Sequence, residues 1–182
     1  MAAKLEQELD RLYQLPRGEF TSARDELAMR LRSEGNRERA EEVKKLRKPT
    51  AAVWLVNQLS RERELDVQRL VKAGESLTQA HSKAATAASS PAFLEARRDE
   101  HHALECLAKA AHEIAAREGV GASAVTKATE TLRGAALRAE ARDGLRRGRL
   151  TEEVEPPGVR SIKRATGGRA VPDFDEEEAF RE

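Results

Sequence analysis

The densest group of side chains able to do chemistry is the stretch DEHHALEC, Asp99 to Cys106. On a helix His101 and Glu105 stand at i and i+4, as do His102 and Cys106, and His112 shares the face of His101. Helical bundles hold metal ions with such residues, most specifically as Glu-x-x-His repeated on two helices or as His-Glu-x-x-His on one. Neither pattern occurs. Asp99-x-x-His102 is a single echo, and His81 is the one histidine elsewhere. A solvated helix face is the preferred reading, with a metal-binding bundle through His101, His102, Glu105 and His112 a distant alternative. Cys106 adjoins an acid, Glu105, and not a base as a catalytic thiol would. Gly-x-Ser-x-Gly, a phosphate loop and a dinucleotide fingerprint are all missing. The sequence therefore predicts a protein that is not an enzyme and carries no cofactor.

Charge supplies the next candidates. Arg133 to Arg149 holds six arginines against Glu140 and Asp143. Read as one helix, Arg138, Arg142, Arg146 and Arg149 fall at i, i+4, i+8 and i+11, a stripe able to track phosphates. The bland reading is a solvated helix end, where cations also favour the C-terminal dipole. Nucleic-acid association through this stripe is the second functional expectation. Of opposite sign is VPDFDEEEAF, five acids with Phe174 and Phe180. Such a segment suits a basic groove, and the Arg stripe is an intramolecular partner for it.

Trp54, the only tryptophan, is the third candidate. In KPTAAVWLVNQLSR the residues Val53, Leu55, Val56 and Leu59 form one apolar arc, while Trp54 falls about 200° from Ala52 at 100° per residue, among Asn57, Gln58 and Arg61. One reading buries Trp54 against an amino-terminal lobe, on residues such as Leu27, Leu31, Val43 or Leu46, with Asn57 or Gln58 taking its N–H. The other leaves Trp54, Asn57, Gln58 and Arg61 as an exposed patch for a partner.

The elements that carry these groups read as helices throughout. Charged residues are 36% and aromatics 3% of the chain, so a core must be built from Ala, Leu and Val. Short helices are expected around Leu5–Leu12, from Glu19 to Glu34, and from Asn36 to Pro49. Longer ones are expected from Pro49 to Lys83, Ala92 to Glu118 and Ser123 to Arg147, with short connections that make neighbours antiparallel. The predicted fold is all-α: three long antiparallel helices, a small three-helix N-terminal lobe and a disordered C-terminal tail. The boundaries are 1–48 for the lobe, 49–150 for the bundle and 151–182 for the acidic tail, which lacks any period. Net charge is +1 and so selects no partner class. The one cysteine and the charged, Leu-spaced amino terminus predict a cytoplasmic protein with no membrane span. An Ala-rich face left uncovered would favour self-association as a homodimer. The first functional expectation is thus a non-enzymatic helical interaction or scaffold protein.

Residues 12–61 carry LPRGEF and KPTAAVWLVNQL, and these resemble LPxxEF and KPTxxxWxxNQL segments of uncharacterised helical proteins from high-GC bacteria. VTKATETLRGAAL followed by GRLTEEVEPPG resembles the carboxy-terminal half of the same group, so the likeness covers about residues 1 to 158. It implies an all-helical, bacterial protein. It transfers no activity, ligand or catalytic residue to any position.

Overall fold

The computed structural model describes residues 2–83 and 90–157, and among these it forms eight helices and no strand. The amino-terminal lobe is α1 (Ala2–Gln14), α2 (Phe20–Ser33) and α3 (Arg37–Lys45). The body is α4 (Ala51–Glu62), α5 (Glu64–Lys83), α6 (Pro91–Glu118), α7 (Ala122–Leu137) and α8 (Ala139–Arg147). No helix among the described residues is long and apolar enough to cross a membrane.

Each helix starts and stops where local chemistry provides partners for its end groups. The Thr50 hydroxyl accepts from the Val53 N–H at 3.2 Å, and Ser90, followed by Pro91, does the same for Phe93. After α2 the Asn36 N–H reaches back to the Leu31 carbonyl at 2.9 Å, closing the helix before α3 begins. Short helices of this length are marginal alone. They hold because Leu27, Ala28 and Leu31 of α2 pack on Ala40 and Val43 of α3, with Leu5 and Leu9 of α1 against them.

In the body, α5 packs on α6 and α7, while α4 lies against α6, α7 and α8. Leu55 and Leu59, Leu70, Leu107, Leu132 and Leu145 bring one or two fully buried side chains from each body helix to a common core. Between them sit Ala110, Ala111, Ala128, Ala135 and Ala136, small enough to let helix axes approach closely. Gly74 of α5 is the tightest case. A Cβ there would collide with the Ala136 carbonyl oxygen of α7, and its carbon would lie at 2.7 Å.

Two of the three long helices expected from the sequence are in fact broken. The first stops at Glu62 and restarts at Glu64, with Arg63 at φ −130°, ψ 44°. The break is cheap because Arg63 serves both helices: its N–H bonds Leu59 and its carbonyl accepts from Asp66 and Val67. Glu64 and Asp66 also place acids at the positive end of α5. The second breaks at Arg138, extended at φ −102°, ψ 119°, whose N–H bonds Gly134 and whose carbonyl accepts from Ala141. This bend folds α8 back over α4 and α5 and buries Leu145. In neither sequence is there a Pro or Gly at the break, so the period alone reads straight through.

A third correction concerns the boundary at Leu150. Residues 151–157, expected as the start of a disordered tail, lie as a strap on the body. Val154 packs against the core, and a Cβ at Gly134 would collide with the Val154 carbonyl oxygen. Glu153 accepts from the Thr50 hydroxyl at 2.9 Å. The remainder of the expected tail, 158–182, lies outside the described residues.

Gly74→Ala should test the close approach. In an unconstrained helix the change favours stability by about 1 kcal/mol, whereas overpacking against the Ala136 carbonyl should destabilise by about 1–3 kcal/mol. Urea unfolding followed by circular dichroism is expected to show a net loss; a net gain would mean that α5 and α7 sit further apart.

Candidate interaction surfaces

The polar face of α4 is hydrogen-bonded to three other segments of the chain, α1, the turn after it and the 148–150 turn. Asn57, with 0% of its surface exposed, donates from Nδ2 to the Leu150 carbonyl at 3.0 Å and accepts the Leu150 N–H on Oδ1 at 2.8 Å. It pairs with that main chain as a neighbouring strand would. Arg61 donates from Nη1 to the carbonyls of Asn57 (2.8 Å) and Tyr13 (3.2 Å), and from Nη2 to that of Gly148 (2.9 Å). Gln58 also reaches the Tyr13 carbonyl, at 3.3 Å, and the Trp54 indole N–H reaches that of Leu15 at 3.0 Å. These carbonyls lie at the C-terminal end of α1, where acceptors lack helical donors and the dipole is negative.

Gly148 makes the arrangement possible. It sits at φ 63°, and a Cβ would come within 2.8 Å of the Asn57 carbonyl oxygen. The turn it forms aims Arg149 at α1, where Nε donates to Asp10 at 2.6 Å and Nη1 to Glu6 at 2.7 Å. The hydrogen bond to Asp10 raises the Arg149 pKa, with Glu6 adding to it against a cost of burial. Burial pushes the Arg61 guanidinium down; Asp10 opposes that and Arg149 reinforces it. Tyr13, edge-on to Phe20 at 5.4 Å between ring centres, has its phenol raised by burial and partly lowered by Arg149.

The patch expected for a partner at Trp54, Asn57, Gln58 and Arg61 is therefore occupied by this chain's own α1 and its 148–150 turn. Trp54 is 6% exposed, buried as one reading expected, but it belongs to the body core. Its surroundings differ from that reading in two respects: Leu27, Leu31 and Val43 form a separate cluster in the lobe, with Leu46 against it, that does not include Trp54, and the N–H finds another acceptor. The indole partner is the Leu15 carbonyl, because Asn57 and Gln58 are engaged elsewhere.

The Arg stripe does not form. Arg138 lies in the break between helices, and Arg149 lies beyond Gly148, so only Arg142 and Arg146 keep helical register on α8. Each cation also has a local partner. Arg138 donates to the Glu155 carbonyl, Arg142 to the Ala136 carbonyl and the Thr78 hydroxyl, and Arg146 to Glu75 at 2.7 Å. Arg133 pairs at 3.0 Å with Glu100, a carboxylate buried between α6 and α7. The histidine stretch stays dispersed: His101 meets Glu105 at 3.4 Å, and His102 lies 4.0 Å from the Cys106 sulfur. Among the described residues no three acidic, His or Cys side chains converge as a metal site would require, and His112 is exposed on its own.

One cluster escaped the sequence reading. Lys44, Lys45, Arg47 and Lys48 close α3 and lead into α4, all exposed, and none has an ion-pair partner among the described residues. The backbone beneath them is held in place. Arg24 donates to the Leu46 carbonyl at 2.9 Å, and Arg17 to that of Pro49 at 3.3 Å. These two bonds bring Arg17, and Arg24 together with its ion-pair partner Asp25 at 2.8 Å, to the same corner. The signal in the sequence was the run KKLRK itself, masked there by Glu41 and Glu42 in the preceding turn. Glu41 turns away to Arg32.

Two outcomes follow from the bonding on α4. Asn57→Ala would leave the Leu150 N–H and carbonyl buried without partners, and at about 1–3 kcal/mol each unfolding stability should fall by about 2–6 kcal/mol. Arg146→Gln, which removes an exposed pair, should cost under about 1 kcal/mol; equal costs would mean that Asn57 is not a buried clamp. Tyr13 is the only tyrosine, so its titration can be followed by absorbance near 295 nm. In the native protein it should ionise above its ordinary value of 10.0, and in urea at that value. Because the folded state holds the proton more tightly, its contribution to stability is intact below pH 10 and is lost as pH rises through the native pKa. Native ionisation at or below the ordinary value would contradict its burial.

Comparison of the chain with family models, with curated proteins and with solved structures returns no match.

Proposed function

We propose that this chain is a non-enzymatic helical interaction module that captures an acidic protein segment on the Lys44–Lys48 corner. The observation that carries the reading is the set of four adjoining cations with no partner among the described residues, on a backbone pinned by Arg17 and Arg24. The long cations on the polar side of α4, on α8 and in the turn after α8 are, by contrast, engaged within the chain. Arg61, Arg142, Arg146 and Arg149 all serve acceptors of neighbouring elements.

The shape of the patch favours a short acidic segment over a duplex. It spans five positions at one corner, whereas proteins that track a duplex commonly make about six to ten phosphate contacts along it. The partner segment belongs to another protein or to a second copy of this chain. Long-range attraction of this kind steers encounter and weakens with salt, because exposed charges are screened beyond about 10 Å at 0.1 M ionic strength.

Fluorescence anisotropy with a labelled oligoglutamate peptide tests the assignment on the full chain. Binding should be measurable at low ionic strength and fall with added salt. A variant carrying Lys44→Gln, Lys45→Gln, Arg47→Gln and Lys48→Gln should bind at least about tenfold more weakly with its helical signal intact. Equal affinity in the two proteins would refute this site, and preference for a duplex of the same charge would move the assignment to nucleic acid.

A further inference from the structure

The lobe contains a hollow that its own side chains do not fill. α2 and α3 pack closely on one another, whereas α1 lies less closely against α2. Between the three helices this leaves a cavity of about 340 Å³, floored by Leu5, Leu27 and Leu31. That volume lies in the range of small-ligand pockets. We propose that the cavity binds an aliphatic carboxylate, with the hydrocarbon chain on the three leucines and the head group on Lys4 and Arg39. The site is separate from the Lys44–Lys48 corner and does not rest on its assignment.

The floor selects the tail. Leu27 and Leu31 are buried and Leu5 is partly buried, so an apolar surface lines a gap between helices. Such a gap forfeits dispersion contacts that a packed interior makes. A methylene chain restores them and takes apolar surface out of water. The lining residues include no aromatic ring, so the hollow offers no stacking platform for a base.

The rim selects the head group. Arg30 is already paired with Glu8, at 2.8 Å. Lys4 and the half-buried Arg39 have no ion-pair partner among the described residues, and Glu34 is the one lining carboxylate left free. Two free cations less one free acid leave the rim at +1. Arg39 offers a planar fork of donors that matches a carboxylate. The Asn36 side chain makes no capping bond to α3 and lines the same hollow, so its amide can donate to the same group.

A neutral alkyl chain would leave these cations unpaired, and a small hydrophilic anion would leave the leucines uncovered. A molecule with both parts uses the whole site. Because Lys4 belongs to α1 and Arg39 to α3, a carboxylate bound by both ties the first helix of the lobe to the last. Helices this short are marginal alone, so the ligand stabilises the lobe that holds it.

NMR titration of the full chain with octanoate reads the site. The methyl signals of Leu5, Leu27 and Leu31 should shift saturably, while those of Leu107 and Leu132 in the body stay still. Octanol and acetate, each carrying one half of the recognition, should bind at least about tenfold more weakly. A variant with Lys4→Gln and Arg39→Gln should lose about tenfold in octanoate affinity and keep that for octanol. Leu5→Phe, which fills the hollow from its edge, should weaken both ligands, with circular dichroism checking that the helices persist. The variant with Lys44→Gln, Lys45→Gln, Arg47→Gln and Lys48→Gln should bind octanoate as the parent does. Equal affinity for octanoate and octanol, unchanged affinity in the Lys4 and Arg39 variant, or shifts spread over the body leucines would overturn the site. So would undiminished octanoate binding by folded Leu5→Phe. Loss of octanoate binding in the Lys44–Lys48 variant would overturn it as well, by placing the head group at that corner.

Discussion

Everything in this architecture turns on two side chains of α4 that complete the backbone of other elements. Asn57 binds both main-chain groups of Leu150, and Arg61 gathers carbonyls from α1, α4 and the Gly148 turn. A short helix such as α1 has little apolar surface to offer and open acceptors at its C-terminal end. Donors from α4 satisfy those acceptors, and Arg149 adds ion pairs to Asp10 and Glu6. The lobe is thus attached to the body by polar bonds at a buried seam, while the apolar cores of the two regions remain separate clusters.

That construction explains why the helices were legible in the sequence and their uses were not. The all-α class, the caps at Thr50 and Ser90 and the ends of α2 and α3 follow from local chemistry, which a sequence displays. The breaks at Arg63 and Arg138 do not, because each is paid for by backbone bonds that any residue can make. Trp54 on the polar side of α4 was a sound sign of burial, since the seam needs an apolar anchor beside its donors. Which carbonyl received its N–H depended on residues 39 positions away. The arginine stripe failed for the same reason: helical register is a local property, whereas partners such as Glu75, Thr78 and Asp10 come from remote segments.

Small residues decide where the body can close. Gly74 and Gly134 mark points at which another backbone passes too near for a side chain, α7 in one case and the strap at Val154 in the other. With helices this close, long cations on α8 fold onto neighbouring acceptors, and the body consumes most of its own charge. The lobe's last turn is different. It leads into α4 along the surface, and there Lys44, Lys45, Arg47 and Lys48 have no carboxylate partner among the described residues. Among the described residues three large apolar side chains are well exposed, Met29 at 66%, Leu65 at 68% and Leu94 at 47%, each on a different helix, so charge distinguishes the corner more than apolar area does.

The seam is most directly tested at the Leu150 amide, which lies in a segment without helical bonds and owes its burial to Asn57 Oδ1. Native-state hydrogen exchange monitored by NMR reads that single N–H. The account predicts protection matching the slowest amides of α4, lost only with global unfolding. Exchange at the rate of an open loop, while α4 stays protected, would contradict it.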